Sequence, residues 1–336
     1  MSDRRAQSQI FLVKAGWGDA AREFLAGDAS ERSYDRLRQG NESAVLMDAP
    51  PGGSDDPATF LAIAAHLRSL GLSAPRCYAQ DLVHGFLLLE DLGDAVYARK
   101  IEAYPSLEIS LYTAATGVLA AIQSQPPAAN LPDLTAAEWA GAAGFALDWY
   151  RFSITGDRID SADFCTTLTD ALTRYADGPR VMILRDYHAE NLLWLPDRQG
   201  LASVGLLDFQ LAQLGQPGYD LVSLLQDARR NVSRETEALM IQTFCEQAGT
   251  TEANFRPAYA ALGAQRALRI LGIFAKLCLQ GGKPNYIPLI PRVWQHLQHN
   301  FAIPELEPLA KICGQLLPAP TPEALARIGS QCGHFR

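Results

Sequence analysis

Among the six cysteines, Cys77, Cys165, Cys245, Cys278, Cys313 and Cys332, there is no C-x-x-C pair and no short spacing, which excludes a zinc knuckle or a paired-thiol redox motif. Thiols scattered in this way are expected to stay reduced. Basic excess is also missing: 29 Lys and Arg stand against 37 Asp and Glu, a net charge of −8, which argues against a surface that coats nucleic acid. Long apolar runs are absent. The start of the chain has only residues 10–13 as a continuous apolar run, where a secretory segment needs about 7–15. The most apolar stretch, 267–279, carries Arg269 and Lys276, whereas a membrane span needs about 20 apolar residues. Neither export nor a membrane span is predicted, and a cytoplasmic location is expected. There is no internal repeat and no low-complexity tract.

What is present is ordinary for a folded protein: 336 residues, 48% apolar and 20% charged. At roughly 150 residues per domain, that length predicts about two domains or lobes. Between Arg22 and Pro51, short β-prone runs alternate with turn chemistry (REFLAG, DASE, RSYDRLR, QGNE, SAVLMDAPP), which predicts three antiparallel strands. Phe60, Leu61, Ile63, Ala64, Leu67 and Leu70 recur at helical spacing before Gly71, predicting one helix over 57–70 that crosses behind the sheet. Residues 74–80 and 85–90 supply two further strands, the second a continuous FLLLE suited to a central position. After EDLGD the strand signals fade, and Ala-rich segments with a 3.6-residue period take over. The pattern is α+β: a small β-rich part over 1–93, then a larger helical part over 94–336, with a hinge near 88–94.

One β excursion interrupts the helical part. NLLWLP, the turn DRQG and LASVGLLDF read as an antiparallel hairpin. Asn191 stands immediately before its first strand and Asp208 at the end of its second, so the pairing should bring them to one end. An amide oxygen and a carboxylate together suit Mg²⁺ rather than zinc or copper. Asp186, five residues before Asn191, would face the same space as acceptor for a hydroxyl proton.

An aspartate, an asparagine five positions on and a downstream D-F-x match the signature of kinases. In detail, Asp186-Tyr187-His188-Ala189-Glu190-Asn191, then Asp208-Phe209-Gln210, then Gly218-Tyr219-Asp220-Leu221 resemble the aminoglycoside phosphotransferase and choline kinase family. The resemblance spans nearly the whole chain. It implies a bilobal, protein-kinase-like fold, ATP and Mg²⁺ as cofactors, and transfer of the γ-phosphoryl group to a hydroxyl of a small molecule. It implies a catalytic role for Asp186 and metal ligation by Asn191 and Asp208. Residues 27–34, including Asp28, Ala29 and Ser30, take the place of the phosphate-covering turn, and Glu90, Asp91 and Leu92 that of the hinge that holds adenine.

More narrowly, DASERSYDR, VLMDAPP, LLLEDLGD, LRDYHAENLLW and QRALRILGIFAKL are similar to kinases that phosphorylate N-acetylmuramate and N-acetylglucosamine at the anomeric hydroxyl. A hemiacetal hydroxyl is more acidic than an ordinary alcohol, so a positioned carboxylate suffices as base. An aminoglycoside or an amino alcohol such as choline is the rival acceptor, for which Asp148, Asp157, Asp160 and Asp163 supply acidic residues. A catalytically silent nucleotide binder is the rival from another class.

Three departures from the family pattern stand out. The third strand reads Ala44-Val45-Leu46-Met47-Asp48, with no lysine for the phosphates; Arg32 and Arg36, four apart on the expected strand and so on one face, are the candidate substitutes. The 57–70 helix has no glutamate to pair with such a lysine. Leu184 stands where relatives carry the histidine of H-x-D. His188 and Asp220 are read as structural supports, Asp220 with an N-cap reading before the next helix. Trp149 and Tyr150 either stack on a sugar or fill core. Arg266, Arg269, Lys276 and Lys283 either grip an acidic substrate or lie on a solvated helix face.

Overall fold

The structure is a computed structural model that describes residues 2–27, 32–52 and 56–335. Its strands are β1 (Ala21–Ala26), β2 (Ser33–Gln39), β3 (Glu42–Asp48), β4 (Cys77–Asp81), β5 (Phe86–Glu90), β6 (Val181–Ile183), β7 (Leu192–Trp194), β8 (Val204–Leu206) and β9 (Gln213–Gly215). Its helices are α1 (Ser2–Lys14), α2 (Pro57–Ser69), α3 (Tyr97–Ala103), α4 (Glu108–Gln123), α5 (Ala136–Ala143), α6 (Phe152–Thr155), α7 (Ala162–Tyr175), α8 (Tyr219–Leu225), α9 (Arg234–Ala248), α10 (Glu252–Leu279), α11 (Ile290–Phe301), α12 (Glu307–Leu316) and α13 (Pro322–Gly329). The chain forms two compact units, residues 1–122 with 189–212, and residues 123–188 with 213–336.

The first unit is built on a five-stranded antiparallel sheet in the order β1-β2-β3-β5-β4, so FLLLE is an interior strand. Alternation along the strands gives the sheet two chemically different faces. Leu37, Ala44, Leu46, Phe86 and Leu88 form one face, and Phe11 and Leu12 of α1 close over it. The Phe11 and Phe86 rings stack at 5.8 Å, and the Arg4 guanidinium lies over Phe86 and bonds Asp48. No sequence signal announced α1, because SDRRAQSQIFLVK is polar apart from a few residues. Arg36, Val45 and Leu89, paired across β2, β3 and β5, occupy the opposite face.

Helix α2 starts where chain chemistry says it should. Asp56 accepts a hydrogen bond from the Ala58 N–H at 2.9 Å, and Pro57 takes the first helical position. It buries Phe60, Ile63, Ala64 and Leu67, and Phe60 stacks on Phe209 at 4.9 Å. The β7–β8 hairpin is antiparallel, with Leu192 opposite Leu206. Two backbone hydrogen bonds help fasten it into the first unit. The Leu206 N–H donates to the Ser73 carbonyl at 2.9 Å, and the Trp194 N–H to the Ala95 carbonyl at 2.8 Å. Those bonds, with α3 and α4, carry the first unit beyond the expected boundary near Asp94. The helix over residues 105–123 is long and apolar enough, by length and composition alone, to cross a membrane.

The second unit is helical apart from the two-stranded β6–β9 ribbon. Its centre is α10, 28 residues long and buried along most of its length. Gly272 of α10 lets a neighbouring backbone approach: a Cβ there would lie 2.2 Å from the carbonyl carbon and oxygen of Phe145. Tyr150, in the π-helical segment Ala146–Arg151, is buried with its hydroxyl donating to the Pro318 carbonyl at 2.8 Å, which makes it a core residue. All six cysteines are free thiols.

Candidate active site

The first unit contains a cavity of about 380 Å³. Leu25, Val45 and Leu89 come to it from the five-stranded sheet, and Leu193 and Leu207 from the hairpin, so apolar side chains from two separate sheets line one space. Phe60 and Tyr34 complete the apolar part. Such a space, apolar with a few convergent polar groups, suits the flat ring of a nucleobase. Its polar residues are Arg36, Glu90, Asp91, Asp94, Arg99, Glu190, Asn191 and Asp208. Leu92 is not among the lining residues.

The hairpin explains why Asn191 and Asp208 share this space. The Leu207 N–H donates to the Asn191 carbonyl at 3.0 Å, continuing the β7–β8 register by one step and putting Asp208 next to it in the chain. Asp208 has a φ of +54°, in the left-handed region that aspartate tolerates better than most residues. Its carboxylate is 42% exposed. Among the described residues its hydrogen-bond donors are Arg32 Nη2 at 3.3 Å and Gln210 Nε2 at 2.7 Å, both on Oδ1. An amide oxygen and a partly exposed carboxylate on one cavity wall fit a hard cation that keeps water and phosphate oxygens in its shell. Among the described residues, no group of three or more His, Cys, Asp or Glu gathers as a metal site, so any cation held by Asn191 and Asp208 would depend on water and phosphate for the rest of its shell.

The hinge candidates behave differently from one another. Glu90 is a structural latch: Arg198 Nη2 donates to it at 2.7 Å, the Arg76 N–H donates at 3.1 Å, and Arg198 also donates to Ser73 Oγ at 2.7 Å. Asp91 is buried, which alone would raise its pKa. The Gly93 N–H, the Arg36 guanidinium and the Ser43 hydroxyl outweigh that and hold it below the usual carboxylate value. Arg36 is buried, yet its pKa is raised, because bonds to Asp94 and Asp91 outweigh desolvation.

Arg32 and Arg36 do not share a role. Arg32 lies before β2 rather than in it, so strand alternation does not govern its direction, and it reaches Asp208. Arg36 turns to Asp91 and Asp94. Asp28, Ala29 and Ser30 lie outside the described residues.

Asp186 belongs to the second unit, where its backbone is held with unusual tightness. The Asp186 N–H donates to the Leu184 carbonyl at 2.9 Å around Arg185, whose φ is +71°. This is a γ-turn with positive φ at a long side chain, a costly conformation that persists only if its surroundings impose it. They do. The Asp220 carboxylate accepts the Leu184 N–H at 2.6 Å and the Arg185 N–H at 2.8 Å. Ser223 Oγ donates to the Arg185 carbonyl at 3.2 Å, and Arg266 Nη2 of α10 donates to Ser223 Oγ at 2.9 Å.

Asp220 is therefore a support, though not as an N-cap. Gly218 occupies the cap position of α8, and Asp220 reaches back to the turn. Full burial raises its pKa to about 7, with Asp186 adding to the rise and the two backbone N–H groups and Arg266 opposing it. Leu184, buried, contributes its backbone N–H to the same support. His188 is buried, and its pKa is lowered to about 3 by desolvation first and then by Arg229 and Arg266, so it is neutral at physiological pH. Arg266 is 8% exposed, which corrects the solvated-face reading. Ser223 and Arg266 went unrecognised as loop supports because nothing in their local sequence marks a partner 38 to 43 residues away.

Comparison with known proteins adds an independent line. The model of a phosphotransferase enzyme family matches residues 22–263. An N-acetylmuramate/N-acetylglucosamine kinase of Caulobacter vibrioides is 38% identical, over 95% of this chain and 98% of its own. A protein of the same name from Pseudomonas aeruginosa is 32% identical, over 91% of this chain and 92% of its own. Among solved structures, a choline/ethanolamine kinase family protein of Mesorhizobium loti superposes with a TM-score of 0.61 at 13% identity, covering 97% of this chain and 99% of its own. A GDP complex of a variant aminoglycoside 2'-phosphotransferase gives 0.59 at 13% identity, over 93% and 99%. These likenesses show a shared fold, the protein-kinase-like one.

Proposed function

Since the chain belongs to the phosphotransferase enzyme family and is a small-molecule kinase, we propose that it uses ATP and Mg²⁺ to phosphorylate the anomeric hydroxyl of an N-acetylated cell-wall sugar, N-acetylmuramate or N-acetylglucosamine. The observation that supports the nucleotide part is the 380 Å³ cavity, where apolar walls adjoin hinge acids and the Asn191–Asp208 pair. The acceptor is supported by the names and near-full-length coverage of the relatives.

Asn191 and Asp208 are the residues that would hold Mg²⁺, whose charge, when bound, would offset that of the transferring phosphoryl group. Asp186 orients the sugar hydroxyl and takes its proton as the new O–P bond forms and the bond between the γ-phosphorus and the bridging oxygen breaks; ADP leaves, and the proton passes to solvent. The strained turn before Asp186, tied by Asp220 and Ser223, restricts the backbone that carries this carboxylate. Catalysis of this kind is positioning and charge neutralisation rather than covalent chemistry by the protein.

The test is ADP release from the full chain with ATP, Mg²⁺ and a panel of acceptors: both N-acetylated sugars, the 1-O-methyl glycoside of N-acetylglucosamine, an aminoglycoside and choline. Turnover on the free sugars and none on the methyl glycoside is expected. Equal turnover on the methyl glycoside, or turnover confined to the cationic acceptors, would overturn the anomeric assignment.

A further inference from the structure

The six cysteines are scattered in sequence, yet folding sets Cys278 and Cys332 against each other in the second unit. Cys278 stands in the last turn of α10 and is fully buried. Cys332 follows α13 and is half-buried. The main chain fixes their approach. The Gly333 N–H donates to the Cys278 carbonyl at 2.9 Å, and the Phe335 N–H donates to the Leu279 carbonyl at 3.1 Å. In an α-helix the same kind of bond leaves the residue before the donor about 5 Å, Cα to Cα, from the acceptor residue. That lies inside the roughly 4.4–6.8 Å that a disulfide spans.

The segment that carries Cys332 is anchored on both sides of it. Gln331 Nε2 donates to the Ser153 carbonyl at 2.7 Å, and the Phe335 ring meets Phe152 edge-on at 5.7 Å. Cys278 Sγ points the same way, donating to the Ile328 carbonyl of α13 at 3.8 Å. Burial pushes the Cys278 thiol up to about 12, and the Cys332 thiol adds to the rise as a hydrogen-bond partner and through its charge. Burial alone does the same at Cys313, where no second thiol contributes. An oxidant arriving from solvent meets the more accessible Cys332 first, with Cys278 already in place behind it.

We propose that Cys278 and Cys332 form a modification site, a dithiol that a peroxide converts to a disulfide, fastening the segment after α13 to the end of α10. The peroxide takes two electrons from the Cys332 sulfur, leaving a sulfenic acid and one water. The Cys278 sulfur then attacks the Cys332 sulfur. An S–S bond forms, the S–O bond breaks, and the departing hydroxide takes up the Cys278 proton as a second water. The bond closes a long loop in the unfolded chain and so stabilises the second unit. Neither cysteine lines the cavity assigned to the nucleotide, so the site is separate from the proposed phosphotransfer and does not depend on it.

The experiment treats the reduced full chain with hydrogen peroxide, caps the remaining thiols with N-ethylmaleimide and maps its peptides by mass spectrometry without reduction. The expected product is a linked pair carrying Cys278 and Cys332, two hydrogens lighter than its separate parts and split by dithiothreitol. Tm should rise by roughly 5–15 °C on oxidation and return on reduction. Cys332→Ser should give no cross-link at Cys278 and no rise in Tm. Cys278→Ala should leave Cys332 as a sulfenic acid that dimedone labels; if that variant does not fold, the unaltered chain and Cys332→Ser decide the matter alone. Cys332 oxidised beyond the sulfenic acid while Cys278 stays a free thiol, either cysteine joined to a different thiol, or a linked pair with no rise in Tm would overturn the proposal.

Discussion

Replacing Arg266 by methionine tests whether the turn before Asp186 is held from α10. Methionine keeps the length and most of the volume of the aliphatic stem but removes the charge and the bond to Ser223 Oγ at 2.9 Å. A hydrogen bond to a charged group contributes about 1.5–3 kcal/mol, and Asp220 and Asp227, both buried, lose a compensating cation. Together these put the loss at about 2–4 kcal/mol. For a unit of about 190 residues this corresponds to a fall in Tm of roughly 5–15 °C.

The same substitution has a pH signature. Asp220 has its pKa raised to about 7 by burial, and Arg266 opposes that rise, so the stabilisation between them exists only where Asp220 is ionised. The gap in Tm between the unaltered chain and Arg266→Met should thus be at its smallest near pH 5, where the lost bond to Ser223 still counts, and widen as the pH rises through about 7. Because the turn loses a tether, kcat should fall by about tenfold or more while the KM for ATP stays within about twofold. Thermal melts by circular dichroism across pH 5–8, with steady-state kinetics at pH 7.5, give both readouts. A Tm within 2 °C at every pH together with unchanged kcat would refute the tethering chain.

Further outcomes are specific to other parts of the molecule. Gly272→Ala should destabilise the second unit by about 1–3 kcal/mol, since its Cβ would sit 2.2 Å from Phe145 backbone atoms and α10 would have to move; a urea midpoint equal to that of the unaltered chain would contradict this. His188, whose folded pKa is lowered to about 3 from an ordinary 6.5, stabilises the fold above pH 6.5, and that contribution is lost as pH falls toward 3. His188→Gln should accordingly flatten the acid limb of the stability profile, and NMR should find no titration of the His188 ring between pH 5.5 and 8.

Much of the first unit is legible in the sequence because its elements follow local rules. β2 and β3 are short β-prone runs set off by turn residues, α2 has its Asp56 cap and Pro57 start, and the DRQG segment separates two β-prone runs. Helix α1 is not legible, since it buries little more than Phe11 and Leu12 and its polar remainder carries no period. The pairing of Asn191 with the Asp208 end of the hairpin follows from antiparallel geometry alone, and the structure places both on one cavity wall. The partners of buried charges are another matter. Nothing local distinguishes Arg32, bound to a residue 176 positions away, from Arg36, bound 55 and 58 positions away, and spacing alone put them on one face. Asp220 likewise looks like a helix cap in one dimension, while its real partners are two backbone N–H groups 35 and 36 residues earlier.

The most direct test of the central assignment is ³¹P NMR of the product made from ATP, Mg²⁺ and N-acetylmuramate by the full chain and by Asp208→Asn. The account predicts a sugar phosphate whose phosphorus couples to the anomeric proton, formed by the unaltered chain and absent with Asp208→Asn although ADP and sugar are still bound. A phosphate coupled to any other sugar proton, or undiminished product from Asp208→Asn, would contradict it.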